Sequence, residues 1–352
     1  MTLPSTTVTT GTTTGADAPT PSTAAPGGRG ERLRVLAGSP RLAFVLRRLL
    51  RAVVSLAIVL MASFFLVHLV PGDPVRAALG PTVSPEAVEA LRRSLGLDLP
   101  LWQQFTNYVG GLFTGDLGVS VTSQRPVATT IAERLPTTLL LSVISFLIAA
   151  LGAFPIGVAT AVSARSGRRR AADLGVSGLL GILIAIPNFL LAVLLISLFS
   201  VGLQWFPPAG WGQPSQVVLP VVALAIGPLA YLARIVHVEM LRVLDEPYIT
   251  TARSKRLPAQ ILYLRHALPN IVAASLTAGG VVLVGLVAGT VLIETVFVIP
   301  GIGSTIVSSI TTKDYPLIQG VVLVYAVLVL AANLVIDLAL AVLDPRSTIA
   351  EA

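Results

Sequence analysis

Glu294 and Asp337 are the residues of this chain that most directly invite a chemical reading, because each stands inside a long apolar run. Ionisable groups in such places are costly, and they mark an ion or substrate pathway or pair with another polar group. Glu294 lies toward one end of the run Ile271–Val298, and Asp337 toward one end of Gly320–Leu343. Each is within about two helical turns of water or of a snorkelling partner. Asp337 follows Asn333 by one turn and is placed to pair with Arg47 or Arg51. Both acids are therefore candidates for a translocation path or for intramembrane pairing. A proton-driven carrier would bury several such groups at mid-depth, and this sequence does not supply them.

Other chemistry is largely excluded. A phosphate-binding P-loop needs Gly-x-x-x-x-Gly-Lys-Ser/Thr, in which backbone amides and the lysine hold the phosphates. Lys255 and Lys313 are the two lysines of the sequence, and neither lies in such a loop. Any ATP must be hydrolysed by a separate chain. His68, His237 and His266 are too scattered to form a metal pair on one helix face. Cysteine is absent, which removes disulfides, thiol catalysis and zinc–thiolate sites. No Gly-x-Ser-x-Gly elbow is present. The sequence reads as a non-enzyme that binds no cofactor and no metal.

The elements that must position the two acids are membrane spans. Of the 352 residues, 54% are hydrophobic and 12% charged, about half the charge of an ordinary soluble domain. The net charge of +7 is carried by arginines clustered beside apolar runs, the pattern of cytoplasmic membrane loops rather than of a nucleic-acid surface. Six runs approach the roughly 20 residues that a spanning helix needs: Leu50–Val70, Thr137–Val162, Leu174–Val201, Val217–Leu232, Ile271–Val298 and Gly320–Leu343. Pro220, Gly227 and Pro228 make the fourth the hardest to assign, although buried neighbours or water can satisfy the groups they free. In the fifth, Gly285 and Gly289 form a small-x-x-x-small pair, preceded by Gly279 and Gly280, which suits close helix packing. The fold class is an all-α integral membrane protein of about six transmembrane helices, preceded by a disordered tail over 1–40 whose Thr, Pro, Ala and Gly cannot bury enough apolar surface.

Basic residues set the orientation. Arg29 to Arg51, Arg165 with Arg168-Arg169-Arg170, Arg234 to Arg265, and Arg346 all fall on one side, which predicts both termini in the cytoplasm. The loop 71–135 is then external. Within it, Ser84-Pro85-Glu86 reads as a helix start and Gly96 as its stop. Leu101, Trp102, Phe105, Tyr108, Val109 and Leu112 recur at helical spacing, which suits a helix in the outer membrane interface or one packed on neighbouring loops. The internal loop 239–270 is basic, helical in pattern and broken near Leu257-Pro258. It is too long for a simple connector. It reads as a docking element for another protein, with anchoring on anionic lipid as the alternative.

Short motifs then appear in a fixed order. They are Pro71-Gly72-Asp73-Pro74, Leu95-Gly96-Leu97-Asp98, Gly115-Asp116-Leu117-Gly118, Glu133-Arg134-Leu135-Pro136-Thr137, Ile293-Glu294-Thr295, Pro300-Gly301-Ile302-Gly303, Asp314-Tyr315-Pro316, Gln319-Gly320 and Leu343-Asp344-Pro345-Arg346. With these, 47–346 resembles the permease subunits of the dipeptide/oligopeptide/nickel family of binding-protein-dependent ABC importers, and more narrowly the first of the two subunits. The resemblance implies an ABC importer permease fold over 41–352. It also implies that Thr250, Thr251, Ala252, Arg253, Lys255, Arg256, Leu257, Arg265 and His266 belong to a loop seated in a cleft of an ATPase subunit. In that family a glycine follows the loop's first motif, and Arg256 stands in its place. Glycine suits a left-handed helix end that costs other residues about 1–2 kcal/mol. Either Pro258 redirects the chain so that arginine makes a compatible turn, or the loop meets an ATPase with a matching acidic site or couples less efficiently.

The resemblance further implies a second homologous permease, two ABC ATPase domains that hold ATP and magnesium, an external substrate-binding protein and membrane lipid as partners. The expected cargo is a di- or oligopeptide. Nickel chelates or other small solutes, an ATPase-independent secondary carrier, and a membrane scaffold without a transported substrate are the rival readings.

Overall fold

The computed structural model describes residues 40–69, 73, 75–76, 83–166 and 170–343. The expected tail, most of Pro71-Gly72-Asp73-Pro74, Arg168-Arg169 and the motif residues Asp344-Pro345-Arg346 lie outside the described residues. The chain divides into two units, Met1–Arg48 and Leu49–Ala352. Of the first, the described part is the opening of helix α1 (Pro40–Leu69).

The rest is built from helices. Helices α2 (Pro85–Ser94) and α3 (Leu101–Thr114) follow α1, then α4 (Val127–Ser166), α5 (Arg170–Ala185), α6 (Asn188–Leu195) and α7 (Pro214–Leu244). After α7 come α8 (Pro247–Ser254), α9 (Leu268–Val296), α10 (Ile302–Thr312) and α11 (Tyr315–Leu343). Five of them are long and apolar enough to cross a membrane, or six spans if the bent pair α5–α6 counts as one.

The third apolar run, Leu174–Val201, is this bent pair and not one straight helix. The stretch folds back by 101° between Ala185 and Asn188. Pro187 is extended (φ −60°, ψ 139°) and starts α6 rather than kinking one helix. The physical reason is local, since proline lacks an N–H and disfavours the α region at the residue before it. Beyond α6 the chain widens into a π-type segment, Ile196–Gly202.

The fourth run, the hardest to assign from sequence, is the one around which the others pack. Helix α7 is continuous over 31 residues with Pro220 and Pro228 inside it. Half of its most apolar window is buried, against 11% for the first and last spans. Its neighbours are α4, α5, α6 and α9. On α4, a Cβ at Gly157 would lie 2.6 Å from the carbonyl oxygen of Ala233, so the two backbones meet where glycine leaves room. Helices α9 and α11 run antiparallel, since Gly280 abuts Ile336 while Thr290 and Tyr325 face each other at 3.4 Å.

In the external loop, Ser84 caps α2 by accepting from the Ala87 amide at 3.4 Å, and Gly96 turns the chain at φ 66°. Helix α3 rests on α1 through its rings. Phe105 meets Phe64 and Phe65 at centroid distances of 5.2 and 6.1 Å, and Tyr108 stacks on Phe64 at 6.1 Å.

Candidate functional site: a buried carboxyl group and a basic loop

Glu294 ends α9 fully buried. Its Oε1 accepts a 2.6 Å hydrogen bond from the Thr138 hydroxyl on α4, and its Oε2 accepts from the Ser304 amide at 2.9 Å. Thr138 Oγ1 in turn accepts from the Ile302 amide at 2.8 Å. The first amides of a helix have no partner within it, and here a carboxyl group and a hydroxyl from two other helices supply them for α10. Favourable interaction with the positive end of the helix adds to the fit. The glycines make the approach possible. A Cβ at Gly301 would overlap the Glu294 carboxyl group, and one at Gly303 would lie 2.5 Å from Val291 Cα. Arg134 completes the cluster by donating to Thr305 Oγ1 at 2.8 Å.

A second carboxylate plays the same part on the next helix. Asp314, also buried, accepts from Ser120 Oγ at 2.5 Å, from the amides of Val121 and Thr122 at 3.1 and 3.2 Å, and from Leu317 N at 3.4 Å. It thereby caps α11 and holds the 119–126 turn against it. Sequence reading missed this role and those of Thr138, Ser304 and Ser120. Asp314 ahead of Tyr315-Pro316 carried the signal, an acid before a first-turn proline.

Asp337 is half-buried on α11. Because α11 is antiparallel to α9, it stands near the opposite end from Glu294, roughly 33 Å along the helix from Tyr315. The two acids do not form one site.

The basic loop is ordered on an apolar base. Ile249, Ala252, Leu262 and Ala267 are buried against Val236, Met240, Leu244 and Ala161. Leu257 packs half-buried on the same cluster. Arg165 and Asp245 pair at 2.5 Å across the ends of α4 and α7. Asn270 donates to the Tyr248 hydroxyl at 3.0 Å and so ties α8 to the start of α9. Burial, with Glu246 nearby, holds the Tyr248 phenol above its ordinary pKa. Thr250, Thr251, Arg253, Lys255, Arg256 and Arg265 are exposed, His266 is half-buried, and Ala252 faces inward. The chain leaves α8 through Arg256 at φ 55°, a left-handed residue. The arginine therefore adopts the conformation for which glycine is suited, and Pro258 then opens the following helical stretch at φ −60° and ψ 145°.

Comparison with known proteins decides the family. The model of the binding-protein-dependent transport system inner membrane component matches residues 153–349, and that of the family's N-terminal region matches 41–142. The chain belongs to this permease family. It is 37% identical over 306 residues to the dipeptide transport system permease protein DppB of Lactococcus lactis, covering 86% of this chain and 98% of that protein. It is 36% identical over 303 residues to the glutathione transport system permease protein GsiC of Escherichia coli, covering 86% and 97%. The inward-facing MetNI methionine ABC transporter shares the fold, with a TM-score of 0.50 at 19% identity over 60% of this chain and 95% of that one. The permease is thus a multi-pass inner membrane component of a binding-protein-dependent transport system. Its relatives are transport subunits, and the family works in systems with partner subunits.

Proposed function

We propose that the permease translocates small peptides and takes its energy from separate ATPase subunits through the 239–270 loop. The observation that carries this reading is the Arg256 turn. It projects Arg253, Lys255, Arg256 and Arg265 from a base locked by Ile249 and Ala252, so force applied to the loop reaches α7 and α9 directly. In this reading both termini are cytoplasmic, ATP and magnesium sit on the partner ATPase domains, and the chain itself binds no cofactor. A second homologous permease encloses the path with this one, and an external substrate-binding protein delivers cargo to the opposite side. Peptide cargo is supported by the names of the dipeptide and glutathione permeases that the chain resembles along most of its length. An ATPase-independent carrier would place Glu294 or Asp337 in the path; the Glu294 carboxyl group is engaged by Thr138 and Ser304, which leaves that reading to Asp337. Reconstitution of the assembled transporter in vesicles tests the proposal. Di- or oligopeptide uptake should require ATP and survive collapse of the proton gradient. Uptake that persists without ATP and stops with the gradient would refute it.

A further inference from the structure

Among the described residues, helix α3 has an apolar arc that the fold covers on one side only. Phe105 and Tyr108 turn toward Phe64 and Phe65, whereas Trp102 is 69% and Phe113 89% exposed. At 100° per residue, positions 102 and 113 lie within about 20° of one another, so the two rings share one face. Asn107, about 140° around the helix from Trp102 and also exposed, stands on the other side. Leu101–Thr114 contains no charged residue, and Gly115 ends it in a left-handed turn at φ 78°. The exposed rings also continue an apolar surface that begins on the first span, where Ile58, Met61 and Phe65 are 62%, 51% and 46% exposed. A spanning helix facing outward in this way meets lipid, and Phe65 passes that surface directly to α3 through its contact with Phe105. Trp205, 64% exposed beside Phe199, lies in the connection to α7, whose Gly210 amide bonds the carbonyl of Phe297 near the Glu294 cluster. Aromatic residues gathered at one end of a set of spans form the belt typical of a membrane–water interface.

We propose that α3 lies in the membrane interface and inserts Trp102 and Phe113 among the lipid acyl chains just below the headgroups. The occupant is lipid rather than a protein partner, and the attraction is apolar rather than electrostatic, because the helix carries no charge with which to select anionic headgroups. One consequence is mechanical. The segment joining the first two spans is fixed at a set depth, so movement of the first span is resisted by the bilayer itself.

The cysteine-free sequence makes the test direct. Single variants W102C, F113C and N107C of the full chain, in the assembled transporter reconstituted in phosphatidylcholine vesicles, are spin-labelled and probed with oxygen and a water-soluble nickel chelate. The expected depth parameter is positive at 102 and 113 and negative at 107, unchanged when anionic lipid is added. Equal accessibility of all three positions to the chelate would overturn the proposal. Protection of 102 and 113 from both reagents would also overturn it, by showing a protein cover. A depth that follows the anionic lipid fraction would contradict the apolar mechanism. Because 102 and 113 report independently, misfolding of one variant leaves the other to decide.

Discussion

The Thr138 hydroxyl and the Glu294 carboxyl group meet at 2.6 Å across 156 positions of sequence, and through them α4 and α9 together hold the start of α10. The pair turns an acid that looks like a transport group into the keystone of one end of the permease. Glu294→Ala should therefore lower the thermal midpoint of the purified chain. Each donor left buried without a partner costs about 1–3 kcal/mol. Thr138→Val should cause a smaller loss, and the double variant should lose less than the sum of the two. Strict additivity in that cycle would show that the two groups do not act together.

The glycines beside this pair give a contrasting set. Gly301→Ala and Gly303→Ala place a methyl group on Glu294 and on Val291, and overpacking of this kind costs about 1–3 kcal/mol. Among the described residues, a Cβ at Gly285 would meet nothing within 4 Å outside its own helix backbone, so Gly285→Ala should leave the thermal midpoint of the isolated chain unchanged or slightly raise it. Equal destabilisation by all three would mean that the close approach at α10 is not what constrains the motif.

Much of this architecture was legible in the sequence, and the exceptions have physical causes. The long apolar runs became helices, and Ser84, Gly96 and the α3 pattern fell where capping and periodicity put them. The break at Pro187 was not legible, because a proline inside an apolar run is compatible with a kink, as at Pro220 and Pro228, or with a true reversal. Only packing separates the two outcomes. The role of Glu294 was hidden for a different reason. Its partners Thr138 and Ser304 come from other helices, and no local spacing announces a contact 156 residues apart. For Arg256 the family's glycine position marked a left-handed turn, and the backbone keeps that turn although the residue has changed.

Arg256→Gly should accordingly relieve backbone strain. The left-handed conformation costs a residue with a Cβ about 1–2 kcal/mol, partly offset by the greater freedom of glycine in the unfolded chain. The expected result is slower amide exchange across 253–262 with the rest of the permease unaffected. Faster exchange would show that the arginine side chain itself secures the turn.

Tyr108 predicts an alkaline transition. Burial against Phe64 pushes its phenol up to about 12 from 10.0, and among the described residues its hydroxyl has no hydrogen-bond partner. Its folded-state pKa is raised, so the neutral form stabilises the α3 packing. That contribution is whole below about pH 10 and is lost as pH rises through about 12. Absorbance at the tyrosinate band should show one fewer late-ionising residue in Tyr108→Phe than in the wild type, and an unchanged late phase would contradict the assignment. Tyr108→Phe keeps the stack and should be as stable as the wild type at neutral pH, since it removes an unpaired hydroxyl.

The most direct test of the account is affinity purification of the chain from gently solubilised native membranes, with its partners identified by mass, for the wild type and for Arg256→Asp. The account predicts that a second six-span permease and a Walker-type ATPase accompany the wild type. With Arg256→Asp the second permease should remain and the ATPase should be lost or much reduced. Recovery of the wild-type chain alone, under conditions that keep a known importer intact, would contradict ATPase coupling, and full retention of the ATPase by the variant would contradict the 239–270 loop as its dock.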